Sequence, residues 1–123
     1  MRALFLIPGR DELPREQALE SLLTGLVRLN LTIMKRREVP PLYKSGVFYC
    51  RDRAKWRNAL AVIAAGCADC KSLSAYRAAE IIHRGGKARV VVQRTGRNTL
   101  HARVLHNGRI EDPSKRLGMG SNR

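Results

Sequence analysis

Aromatic residues are scarce: one Trp, three Tyr and two Phe make up 5% of the chain. That excludes the stacking platforms of single-stranded nucleic-acid modules, and no other nucleic-acid-binding module is spelled out. The core must rest on Leu, Val, Ile and Ala instead. Acidic residues are also few, with 10 Asp and Glu against 24 Lys and Arg, a net charge of +14. This excess points to polyanionic surroundings: nucleic acid, an acidic protein surface or a crowded assembly. The plainer reading of the same charge is a solvated basic surface. No run approaches the ~18 apolar residues of a membrane span, so no membrane contact is expected. The apolar stretch Ala3 to Ile7 is too short for a signal peptide. Cysteines number three, Cys50, Cys67 and Cys70, an odd count. The expectation is a reducing compartment in which all three stay as thiols, with Cys50 packed as a small hydrophobe.

What is present suffices for one core, since a chain of 123 residues buries about two-thirds of its unfolded surface. Met1 to Gly9 reads as a short strand or a docking arm. Asp11, Glu12 and Pro14 form a helix-start signature. Leu19, Leu22, Leu23, Leu26 and Val27 then recur at helical spacing, and the pattern blurs after Asn30, where the helix is expected to end. Lys35-Arg36-Arg37 precedes Pro40-Pro41, which mark a linker. The basic run reads as a solvated bend, or more sharply as a phosphate or carboxylate contact. Leu42 to Cys50 reads as a strand. A helix capped by Asp52 is expected to run to Ala65, with Trp56 on its inner face as a core anchor or as a wall of a pocket.

Gly66 breaks that helix, and a second one leaves from Cys70 and lasts to Gly85-Gly86. Ser72, Ser74, Ala75, Ala78 and Ala79 give it a small-residue surface suited to close approach to a sheet. Lys87 to Arg94 alternates as a strand, and Val90 to Val92 suggests an interior one. Thr99 to His106 is the next strand, and Asn107-Gly108 is the strongest hairpin signal in the chain. It returns into Arg109 to Asp112 and stops at Pro113. The tail from Ser114 is expected to be extended. The fold class is α+β.

A cysteine at a helix N-terminus meets partial positive charge from free amide groups, one setting in which thiolates form near neutral pH. Cysteine acyl transfer also needs a base and a group to orient that base. His101 and Asp112 are candidates for these roles. A turn centred on Asn107-Gly108 pairs His106 with Arg109 and Val104 with Glu111, which leaves His101 and Asp112 at the same open end of the hairpin. A small register shift or bulge would let the carboxylate reach the imidazole. Other readings compete: His101 as an ordinary strand histidine, Asp112 as a turn residue before Pro113, and Cys67-x-x-Cys70 as a redox pair. A zinc site lacks a fourth ligand at ribbon spacing, so no metal or cofactor is expected. His83 and His106 are expected on the surface.

Several short motifs occur in a telling order. These are Pro41-Leu42-Tyr43-Lys44-Ser45-Gly46-Val47, Trp56, Ala68-Asp69-Cys70, Ala75-Tyr76-Arg77-Ala78-Ala79-Glu80, Gly86-Lys87-Ala88, His101-Ala102-Arg103-Val104, Glu111-Asp112-Pro113-Ser114 and Leu117-Gly118-Met119. Together they resemble the transglutaminase-like cysteine proteins of tailed bacteriophages and prophages. The resemblance implies a papain-like α+β core, with the helix from the cysteine packed on a small antiparallel sheet. It implies that Cys70, His101 and Asp112 correspond to a catalytic triad, with Trp56 and Asp69 beside the pocket. It divides the chain into an N-terminal arm and helix (1–37), a transglutaminase-like domain (38–119) and a tail (120–123). Partners implied are phage structural proteins, in an oligomeric assembly or with DNA against the basic surface, in the virion or the host cytoplasm. The chain departs from the group in two places. Ala68 stands where Gly is usual, and Lys71-Ser72 where acidic residues are usual.

Overall fold

The computed structural model describes residues 15–51, 55–97 and 99–120. The apolar arm at Met1–Gly9, the helix-start residues Asp11 to Pro14, the Asp52 cap and the last three tail residues lie outside the described residues. Helix α1 spans Arg15–Arg36 and so runs past Asn30, where the apolar pattern suggested an end. Its buried residues are Leu23, Leu26, Val27, Asn30 and Met34, a single stripe at helical spacing. A polar residue occupies one core position of that stripe, which hid its continuity. Asn30 is fully buried, and its Oδ1 accepts from the Ala59 backbone N–H at 2.7 Å. Lys35 and Arg36 complete the last turn, where cations favour the negative end of the helix.

Leu42–Lys44 forms a 3-10 turn rather than the start of a strand. The Leu42 N–H is taken by the buried Glu80 carboxylate at 2.9 Å, and Ser45 N–H folds back to the Leu42 carbonyl at 3.1 Å. Gly46, at φ 84°, turns the chain into the two-residue strand β1, Phe48–Tyr49. Helix α2 is short, Ala59–Ala65, and is capped by Asn58, whose side chain accepts from Ala61 N–H. Trp56 therefore precedes the helix instead of lining its inner face. It is 43% exposed, so it anchors no core, and Lys71 Nζ sits 5.7 Å from its ring centroid. The next residue is tethered to α3, because Arg57 N–H donates to Ser72 Oγ at 2.9 Å.

Strand β2, Cys67–Ala68, pairs in parallel with β1. The pairing places Phe48 opposite Cys67 and Tyr49 opposite Ala68, and Cys50 N–H continues it to the Ala68 carbonyl at 2.9 Å. Cys50 and Cys67 form a disulfide with Cα atoms 5.6 Å apart. This corrects the expectation that all three cysteines stay as thiols. It also removes the competing Cys67–Cys70 redox pair, since Cys70 is the free cysteine.

Helix α3, Cys70–His83, packs its small residues against α1 and a three-stranded antiparallel sheet. Ser74, Ala75, Ala78 and Ala79 are fully buried, as the close-approach argument requires. The sheet has the order β3-β4-β5, from Ala88–Gly96, Thr99–His106 and Arg109–Glu111. Among the described residues the valine-rich β3 is thus an edge strand, not an interior one. Helix α1 lies against it, and Glu20 Oε2 accepts the Val92 N–H at 2.7 Å, so Val90 and Val92 are buried all the same. The second hairpin has the expected register, His106 opposite Arg109 and Val104 opposite Glu111. Asn107 and Gly108 both carry positive φ, 53° and 72°, as a type I′ turn requires. Past Asp112 the chain is not extended. Helix α4, Pro113–Arg116, buries Pro113 and Ser114, and Met119 N–H closes onto the Ser114 carbonyl at 2.8 Å. Core residues of α1, α2, α3, β3 and β4 form one cluster. The architecture is mixed α+β, with a small parallel sheet and a three-stranded antiparallel one.

Candidate active site

Cys70 is placed by a sequence of local devices. Gly66 ends α2 in the left-handed region at φ 81°, which favours glycine. Two residues of β2 follow, and Asp69 then caps α3. Its Oδ1 accepts Lys71 N–H at 3.2 Å, and its Oδ2 meets Lys71 Nζ at 2.5 Å. Cys70 is therefore the first residue of the helix. Asp69, one of the two residues expected beside the pocket, serves as this cap and is 8% exposed. The other, Trp56, stands near it through Lys71.

β4 supplies the partners. In the hairpin, β5 stops at Glu111, opposite Val104. Backbone groups along a strand alternate in direction, so Ala102 turns its N–H and carbonyl to the same side as Val104, beyond the end of β5. Side chains of α3 fill that position. Ala102 N–H points to Cys70 Sγ at 3.5 Å, and Ser74 Oγ donates to the Ala102 carbonyl at 3.1 Å. The nucleophile's helix is thereby stitched to the strand that carries His101.

His101 Nε2 lies 2.8 Å from Asp112 Oδ2. With Nε2 so engaged, Nδ1 is the ring nitrogen left for the Cys70 thiol. The hydrogen bond to Cys70 raises the His101 pKa; burial opposes the rise, and the hydrogen bond and charge of Asp112 add to it. Asp112 is fixed from its other oxygen, because Oδ1 accepts Lys115 N–H at 3.2 Å as the cap of α4. The turn-residue and triad readings of Asp112 are therefore both realised, one on each carboxylate oxygen. No register shift is needed to bring His101 and Asp112 together.

Other groups gather here that the sequence reading passed over. Tyr49 is half-buried nearby, with its pKa raised by burial and by the charges of Cys70 and Asp69. A carboxylate cluster sits next to the triad. Glu111 accepts from Arg77 Nε at 2.6 Å and from the Tyr43 hydroxyl, and lies 2.9 Å from His106 Nε2. Burial pushes the Glu111 carboxyl up, but the hydrogen bonds from Arg77, Tyr43 and His106, with the Arg77 charge, bring it down to about 2. His106 is thus held at a carboxylate rather than free on the surface, whereas His83 is exposed. The signal for this cluster was the hairpin register itself, which fixes Glu111 and His106 on the returning turn.

Among the described residues, no group of three or more His, Cys, Asp or Glu could hold a metal ion. No helix among them is long and apolar enough to cross a membrane. Compared with known proteins, the chain matches no family model, no curated protein and no solved structure.

Proposed function

We propose that the chain is a transglutaminase-like protein of the phage type with a papain-like core, in which Cys70, His101 and Asp112 act as a cysteine-nucleophile triad for acyl transfer. One observation carries this reading. A single imidazole lies 2.8 Å from a carboxylate that α4 holds in place, and the very next residue of its strand, Ala102, points its N–H at the free thiol at the tip of α3 at 3.5 Å. In the reaction, the Cys70 sulfur attacks an amide or ester carbonyl, and its proton passes to His101. The Cys70 backbone N–H, at the positive end of α3, is a donor for the oxyanion that develops. His101 then protonates the leaving amine or alcohol, and the acyl group remains on sulfur as a thioester. Water or a second amine attacks the thioester, giving its proton to His101, and the thiol is regenerated. Water makes the protein a peptidase or esterase; an amine makes it a cross-linker.

Iodoacetamide tests the triad on the native, disulfide-bonded chain. Cys70 should react much faster than an unstructured thiol at pH 7, and Cys70→Ala should abolish the labelling. Labelling at the slow rate of a free peptide thiol counts against the triad.

A second reading is a catalytically silent part of a phage capsid or tail, with its basic surface on DNA or an acidic neighbour. A groove of about 730 Å³ favours it. This groove lies at the end of α3 opposite Cys70, and its lining carries the cations Lys35, Arg36, Arg37 and Arg84 against the carboxylates Glu38 and Glu80, an excess of positive charge. Fixed stoichiometry in purified particles, with slow Cys70 labelling, would favour this reading over the first.

A further inference from the structure

Arg77 follows Cys70 by seven positions on α3, two helical turns, and so returns to the same side of the helix. It reaches across to the hairpin with two prongs. Nε donates to Glu111 Oε2 at 2.6 Å and Nη2 to Oε1 at 3.3 Å. Glu111 is the last residue of β5, and the next residue is Asp112, which holds His101. β5 needs this fixing, because only three residue pairs join it to β4. The groups around the pair come from three other elements and from α3 itself. Tyr43 donates its hydroxyl to Glu111, and its ring is covered by the guanidiniums of Arg77 at 4.8 Å and Arg116 at 4.1 Å. His106 Nε2, at the end of β4, lies 2.9 Å from Glu111 Oε1, the oxygen that also meets Arg77 Nη2. Glu80, one turn further along α3, faces Arg77 Nη1 at 3.4 Å.

We infer that the Arg77–Glu111 pair is a positioning clamp for the triad. It sets the separation between Cys70 at the start of α3 and Asp112 at the end of β5, and so holds the His101 imidazole between thiol and carboxylate. Neither residue touches the thiol or the imidazole; both act through Asp112. The inference rests on the triad reading. It adds that the nucleophile's helix and the orienting carboxylate are joined by a two-pronged ionic contact, which a lysine cannot reproduce.

The experiment compares wild type, Arg77→Lys, Arg77→Met and Glu111→Gln, with Asp112→Asn as the benchmark for a lost orienter. Two quantities are read: the pH midpoint of the His101 ring signals by NMR, and the iodoacetamide rate at Cys70. Circular dichroism checks that each variant is folded. In wild type the His101 midpoint should lie above 6.5. Asp112→Asn should lower it, and Arg77→Met and Glu111→Gln should lower it in the same direction. Alkylation in these two should slow by about ten- to a hundredfold, the scale expected when a reacting group is misplaced by about 1 Å. Arg77→Lys should stay folded and recover only part of the rate. A midpoint and rate equal to wild type in Arg77→Met or Glu111→Gln would overturn the clamp. So would full wild-type behaviour in Arg77→Lys, since that would assign the role to charge alone. If Arg77→Met does not fold, the Arg77→Lys and Glu111→Gln results decide. Slow labelling of the wild type sinks the triad reading instead. The His101 midpoints still report on the clamp in that case, so the two failures are distinguishable.

Discussion

Replacing Glu111 by Gln removes one negative charge from a site where three elements converge, and the cost follows from the structure. The Glu111 carboxyl sits at about 2 in the folded protein against an ordinary 4.5. At 1.36 kcal/mol per unit, that difference corresponds to roughly 3 kcal/mol of native-state stabilisation. The side chain is 14% exposed, so solvent screens the interaction little. The sign follows from the depressed value. The contribution is fully present above the unfolded carboxyl's 4.5 and is lost as pH falls from there to about 2. Urea unfolding followed by circular dichroism should therefore show Glu111→Gln less stable than wild type by about 3 kcal/mol at pH 7. The gap should narrow below pH 4.5 and close near pH 2. Equal stability at pH 7 refutes the reasoning. A gap of the same size at pH 7 and pH 2 also refutes it, because the loss would then come from shape and not from the ionised carboxylate.

Two other perturbations test how the fold is tied together. Asn30→Ala leaves the Ala59 N–H without its buried acceptor and opens a small void in α1's stripe, so it should cost about 2–3 kcal/mol in urea unfolding; a loss below about 0.5 kcal/mol would show that Asn30 contributes no net bond. Reducing the Cys50–Cys67 disulfide, which joins residues 17 apart, should lower stability by about 3 kcal/mol and raise the thiol count of the unfolded chain from one to three. A count of three before any reductant is added contradicts the pairing.

The parts of this molecule that were legible in the sequence are those whose signals are local. Asn107-Gly108 fixed the register of β4 and β5 and, with it, the approach of His101 to Asp112. Gly66 and Asp69 marked the break and the cap that put Cys70 at a helix tip. The rest depended on contacts between distant segments. The disulfide requires β1 and β2, each two residues long, to align in parallel, and neither is long enough to show a period. α1 seemed to stop at Asn30 because a polar residue in a core stripe looks like an end until its partner on α2 is known. Trp56 looked like an anchor because it fitted the helical spacing of α2, but that helix begins three residues later. Arg77 and Glu111 each resemble ordinary surface charges, and only the packing of α3 on the hairpin turns them toward each other.

The Cys70 sulfur has a second duty as an acceptor for the main chain of the middle strand, at Ala102. An adduct on that sulfur, whether an acyl group, an alkyl probe or an oxygen, changes the acceptor that this amide meets. The covalent state of one side chain is thereby coupled to how readily one backbone proton in β4 trades with solvent, giving the sheet a built-in reporter of whether the thiol is occupied.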